Sequence, residues 1–101
     1  MTTMMELAQF TVRPGAEEQF VADRPAMLAA LRERFPGLLA AYLTREPDGG
    51  WLDVLIWRTP EEAAESARLI ATIPACAAWL AHIAKSSALR HTEIVDAFPQ
   101  T

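Results

Sequence analysis

The sequence predicts an α+β fold of ferredoxin-like type, in the order βαββαβ, with a four-stranded antiparallel sheet and both helices on one face. Three observations carry this prediction. An alternating apolar segment leads into an amphipathic helix, and this happens twice along the chain. The two middle strands are joined by Glu46-Pro47-Asp48-Gly49-Gly50, a turn that tolerates the positive φ of tight hairpins. Short connections and right-handed crossovers leave few other arrangements for that order. The 101 residues suit one domain, spanning 1–101, and a domain of this size buries a single core without staples.

The first strand, Met4 to Val12, stops at Arg13-Pro14-Gly15. Ala16 to Arg34 carries Phe20, Met27, Leu28 and Leu31 at helical spacing, continued by Phe35, with Glu17 and Glu18 in the first turn, where they favour the dipole. Pro25 inside this pattern is expected to kink the helix or split off its first turns. Pro36-Gly37 stops it, and Leu38 to Arg45 reads as the second strand. Trp51 to Arg58 is the clearest strand, with Leu52, Val54 and Ile56 on one face and Trp51, Asp53, Leu55 and Trp57 on the other. Thr59 is placed as N-cap of the second helix, Pro60 as its first residue and Glu62 as the partner in a capping box. The Ala-rich stretch runs to Ala71, Ile73-Pro74 interrupts it, and Pro74 starts a second segment with Trp79, Leu80 and Ile83. Ser86 to Phe98 gives the last strand.

Composition narrows the function classes. The net charge is −4 with a pI near 5.0, and no basic run occurs, which argues against nucleic acid as a partner. One cysteine, Cys76, rules out an internal disulfide and fits a reducing compartment. The N-terminus lacks the basic and long apolar regions of a signal peptide, and no stretch reaches the length of a membrane span. The expectation is a soluble cytoplasmic protein with no membrane partner. With 51% hydrophobic residues, a chain this short has apolar surface to spare. The sheet has one face covered by helices and one bare. The Leu52/Val54/Ile56 face is expected to meet the helices. The Trp51/Leu55/Trp57 face is too apolar for water and is expected to pack on a second copy, giving a homodimer.

The pieces Phe10-Thr11-Val12-Arg13-Pro14-Gly15, then Phe20, then Phe35-Pro36-Gly37-Leu38, then Asp53 to Ala63 in the run Asp-Val-Leu-Ile-Trp-Arg-Thr-Pro-Glu-Glu-Ala, resemble the antibiotic biosynthesis monooxygenase-like domains of the dimeric α/β-barrel superfamily. The resemblance spans almost the whole chain. It implies a homodimer whose two sheets pack into a barrel. Some members oxidise aromatic polyketides with molecular oxygen and neither metal nor flavin; others bind and degrade heme. The heme-degrading branch uses an Asn on the first strand, a Trp on the second helix and a later His. Those positions fall near Ala8, near Ala67 and only roughly at His82, so two of three features are missing and no heme is expected. The quinone-forming branch uses an Asn, Trp, Tyr and Arg pocket. Trp57 matches it by its place at the end of the third strand, and the chain has no Asn.

Trp57, His82 and His91 are the candidate catalytic residues. The Trp57 indole could wall a pocket for a flat substrate and donate one hydrogen bond, or simply pack at the sheet edge. His82, near the end of the second helical segment, could act as a base, since imidazole titrates near neutrality, or end the helix. His91 shares a strand face with Glu93, as an acid–base pair or a dimer contact. Tyr42, Arg58 and Trp79 are the candidate substrate-binding residues, with packing and cross-strand ion pairs as their ordinary explanations. Cys76 is expected to be a small buried residue. No metal spacing and no Gly-rich phosphate loop is present, so no cofactor is expected. Two functions fit: a cofactor-independent monooxygenase acting on a small hydrophobic or aromatic substrate, or a non-catalytic ligand-binding or structural homodimer. An enzyme needs a cavity with convergent polar atoms between sheet and helices; a structural dimer fills that space with Leu, Ile and Phe.

Overall fold

A computed structural model describes residues 2–99. Met1, Gln100 and Thr101, assigned to the domain from sequence, lie outside the described residues. The elements follow in the order β1 (Met4–Val12), α1 (Glu17–Arg34), β2 (Leu38–Arg45), β3 (Trp51–Trp57), α2 (Pro60–Leu69), a 3₁₀ turn (Ile70–Thr72), α3 (Pro74–Leu80) and β4 (Ile83–Glu93). The strands form one antiparallel sheet in the order β2-β3-β1-β4. This is the ferredoxin-like arrangement, and within one chain the sheet is open at β2 and β4.

Local chemistry explains the boundaries. The hairpin between β2 and β3 closes with Gly49 at φ 90°, and the Asp48 carboxylate accepts from the Gly50 N–H at 2.9 Å. The N-cap of α2 is half of the expected capping box. Thr59 Oγ1 accepts from the Glu62 N–H at 3.1 Å, but the Glu62 carboxylate accepts from the Gly37 N–H at 2.7 Å and from Arg58 at 3.1 Å. It thereby ties the loop before β2 to the start of α2. At Gly37 any Cβ would meet that carboxylate, so this contact requires glycine.

Three expectations need correction. Helix α1 runs unbroken from Glu17 to Arg34 with Pro25 inside it, so the first turns are not split off. Pro25 faces solvent, where loss of one backbone hydrogen bond is cheap. Strand β4 ends at Glu93, not Phe98, because Glu93 pairs with Met4, the first residue of β1. Beyond it a single bond from the Ile94 N–H to the Thr3 carbonyl continues the contact. The faces of β3 are inverted. Trp51, Asp53, Leu55 and Trp57 are buried under the helices, while Leu52, Val54 and Ile56 lie half-buried on the open face. Two indoles and a leucine carry more apolar area than Leu, Val and Ile, and the larger set takes the core.

The core is centred on aromatic rings from every layer. Phe20 of α1 is fully buried and stacks on Trp79 of α3, with centroids 4.6 Å apart. Phe10 of β1 and Trp51 of β3 meet Phe20 edge-on at 5.7 and 5.3 Å. The Trp79 indole N–H donates to the Phe20 carbonyl at 2.9 Å, so α3 is pinned to α1 by a buried hydrogen bond. Met27, Leu31, Phe35, Leu38, Leu55, Trp57 and Cys76 complete the core.

Candidate functional site

The register decides which side chains reach the space between sheet and helices. Along β1, Glu6, Ala8 and Phe10 stand opposite Leu55, Asp53 and Trp51 of β3. The same inward face continues onto β4 through His91, paired with Glu6, and Leu89, paired with Ala8. Register shifts between Gln9 and Phe10 and between Thr11 and Val12 spread the β1–β4 pair at this point. Above this half of the sheet, α2 and the 3₁₀ turn present small residues, Ser66 and Ala67, and the branched Ile70. The result is a cavity of about 230 Å³ between β1, β4 and the helices. Its walls are largely apolar, with Phe10, Met27, Leu31, Leu55, Trp79 and Leu80 among them. The polar groups reaching it include Glu6, Asp53, Ser66 and Ser86.

Two of these belong to pairs with a basic side chain. Asp53 takes two parallel hydrogen bonds from Arg24 of α1, at 3.0 and 2.7 Å, with both side chains buried. The guanidinium also lies 5.6 Å from the Trp79 ring centre. Glu6 is 2.9 Å from His91 Nε2 through one oxygen, and its side chain is only 12% exposed. Burial pushes the Glu6 carboxyl above the ordinary carboxylate range, the Asp53 charge adds to this, and His91 works against it. The Trp57 indole N–H stands near enough to favour the Glu6 carboxylate, yet makes no hydrogen bond and is sealed from solvent.

The structure brings together some of the residues singled out from sequence and separates others. Trp57 and His91 converge on Glu6, and Trp79 walls the cavity. His91 pairs with Glu6 across the strands, not with Glu93 on its own strand. His82 sits in the turn after α3, 2.9 Å from Asp23 of α1, and does not line the cavity. This partner holds the exposed Asp23 carboxyl below its usual range. Arg58 is bound to Glu62. Tyr42 is 60% exposed on the open face of the sheet. Cys76 is buried with its sulfur 3.6 Å from the Met27 carbonyl, and burial pushes the thiol up. Glu6, Asp53 and Ser66 escaped the sequence reading as site residues. The signal for the first was available: alternation from Met4 to Phe10 places Glu6 among apolar neighbours on one strand face.

A small α+β domain with an apolar cavity and a buried acid–imidazole pair between sheet and helices is the class that these observations define. The model of the antibiotic biosynthesis monooxygenase family matches residues 3–69, and the chain belongs to that family. Solved structures agree on the fold. SnoaB, a cofactor-independent oxygenase from Streptomyces nogalater, is 20% identical over 99% of this chain and 100% of its own, with a TM-score of 0.74. Rv0793 from Mycobacterium tuberculosis is 19% identical over 95% and 98%, with a TM-score of 0.66. A conserved protein from Methanosarcina mazei is 11% identical over 91% and 92%, with a TM-score of 0.68. No curated protein sequence matches the chain. Among the described residues no helix is long and apolar enough to cross a membrane.

Proposed function

We propose that the chain is a homodimeric, cofactor-independent monooxygenase acting on a small hydrophobic or aromatic substrate held in the cavity between sheet and helices. One observation carries the reading. That space is an apolar chamber with a few inward polar groups, whereas a purely structural domain would fill it with side chains. Family membership and the likeness to SnoaB support the oxygenase class. Trp79 and Phe10 wall the chamber for a flat ring, and His91 and Trp57 act through Glu6, which lines it. In the simplest balanced reaction of this type a substrate methylene becomes a carbonyl, one atom of dioxygen enters the product, and the other leaves as water.

The direct test is oxygen uptake with flat phenols and benzylic ketones, without added metal or flavin, by the wild type and by Ala8→Leu. Ala8 lines the cavity, and extra methylenes there fill the chamber at a stability cost of about 1–3 kcal/mol or less. The expected result is uptake by the wild type that the filled variant loses while still folded. Equal uptake by both would place the chemistry elsewhere.

The dimer is proposed through the open sheet face, where Met5, Leu7, Leu52, Val54 and Ile56 cluster beside the exposed Tyr42. Val54→Asp puts a charge at the centre of that face without touching the core. Sedimentation at micromolar concentration is expected to show a wild-type dimer and a folded monomeric variant. A wild-type monomer would remove the proposal.

A further inference from the structure

The Glu6 carboxyl has chemical capacity that the fold does not use. Its Oε1 is bonded to His91, but no other hydrogen bond reaches the group among the described residues, and it lines the cavity. The Trp57 indole N–H beside it is a fully buried donor without a partner, an arrangement that native cores avoid. The charged or titratable groups facing Glu6 are few. His91 comes from β4; Asp53 comes from β3 and is paired with Arg24 of α1; Glu93 of β4 is exposed. From α2 the buried Ser66 lines the same cavity and offers a hydroxyl.

We propose that Glu6 is the general base of this cavity and removes a proton from an enolisable carbon of a flat, apolar ketone, with His91 and Trp57 as positioning residues. The step balances without an oxidant. The C–H electron pair moves into the enolate, the proton goes to the Glu6 carboxylate, and solvent exchanges it before return. A buried carboxylate with a raised proton affinity is a stronger base than one in water. His91 fixes one oxygen, which leaves the other free for a ligand. The Trp57 N–H is a spare donor beside the carboxylate. The proposal rests on the cavity being the substrate site, as argued above, but not on oxygenation. The enzyme should therefore catalyse proton exchange when oxygen is absent.

The probe is 2-tetralone, a two-ring enolisable ketone, in deuterated buffer under nitrogen. NMR reads two quantities: shifts of the protein amides around Glu6, Ala8 and Leu89 on binding, and loss of the ketone's α-proton signal. The wild type is expected to bind and to accelerate exchange. Glu6→Gln should bind and lose about a hundredfold or more of that acceleration. In the wild type the exchange rate should rise with pH through a single carboxylate inflection. His91→Phe, which removes two influences that favour the Glu6 carboxylate, should move this inflection upward. A purely structural His91 would lower stability and leave the inflection in place. Glu6→Asp, which keeps the charge but withdraws it, should fall between wild type and Gln. Binding without exchange, or exchange that survives in folded Glu6→Gln, overturns the base while leaving the cavity reading intact. Absence of binding removes the cavity reading and the base with it.

Discussion

Two carboxylates, each paired with a basic side chain, are set into the same face of one sheet, a single inward step apart. Asp53 stands opposite Ala8, and Glu6 opposite Leu55. Arg24 and Asp53 form a closed pair with two parallel hydrogen bonds, one to each carboxylate oxygen. Glu6 and His91 form an open pair, with one bond and an unmatched indole N–H beside it. Helix α1 supplies Arg24 to the first pair, whereas both members of the second belong to the sheet; one carboxylate of each pair, Asp53 and Glu6, lines the cavity. The closed pair ties α1 to β3. The open pair leaves hydrogen-bonding capacity free for a ligand. Burial of a charge does not by itself separate structural from functional groups; completeness of its bonding does.

The largest effect should come from breaking the closed pair. Asp53→Ala leaves the Arg24 guanidinium buried and unpaired, and is expected to cost about 3–5 kcal/mol in urea unfolding. The double variant Arg24→Met with Asp53→Leu should recover most of this, because well-packed apolar replacements of a buried pair are often neutral. A single variant as stable as the wild type would mean that water reaches the pair and that it is not closed.

Sequence reasoning read the fold further than the site. Element order, the hairpin at Asp48-Gly49, the restart of the helix at Pro74 and the cap at Thr59 all follow from local rules on a few neighbouring residues. The inversion of β3 shows where such rules fail. Asp53 shares a face with Trp51, Leu55 and Trp57, and from sequence that face reads as packing on a second copy, not under the helices. Only Arg24, 29 positions away on α1, makes it an interior residue. The same limit hid Glu6, whose partner His91 is 85 positions away. Alternation assigns residues to a face, but the face that turns inward, and the partner that waits there, depend on the packing of distant elements.

An intermediate effect is expected at the orphan donor. Trp57→Phe removes the indole N–H and keeps most of the apolar area against Phe35, whose ring meets Trp57 edge-on at 6.2 Å. The lost volume destabilises, while removal of an unpartnered buried donor offsets part of it. The net cost should be about 1–2 kcal/mol or less by thermal unfolding. A much larger loss would show that the N–H has a strong partner in the folded protein. That would make the second pair as closed as the first.

The smallest effect on stability near neutral pH belongs to Glu6→Gln, and its pH dependence is the sharper test. Burial raises the Glu6 proton affinity in the folded state, with the Asp53 charge adding to it and His91 opposing. The folded state therefore binds more protons than the unfolded chain between the ordinary glutamate range and the raised folded value. Stability contributed by this group is complete below the ordinary range and is lost as pH rises through the folded value. Glutamine does not titrate. The difference in unfolding free energy, wild type minus Glu6→Gln, should consequently decline as pH is raised from the ordinary glutamate range through the raised folded value, and then level off. At the upper end the variant should lie within about 0.5 kcal/mol of the wild type, or above it, if the amide keeps a bond to His91. A difference that grew with pH would mean that the folded protein favours the Glu6 carboxylate. Glu6 and His91 would then be a stabilising ion pair of the same kind as Arg24 and Asp53, and the contrast between an open and a closed pair would be lost.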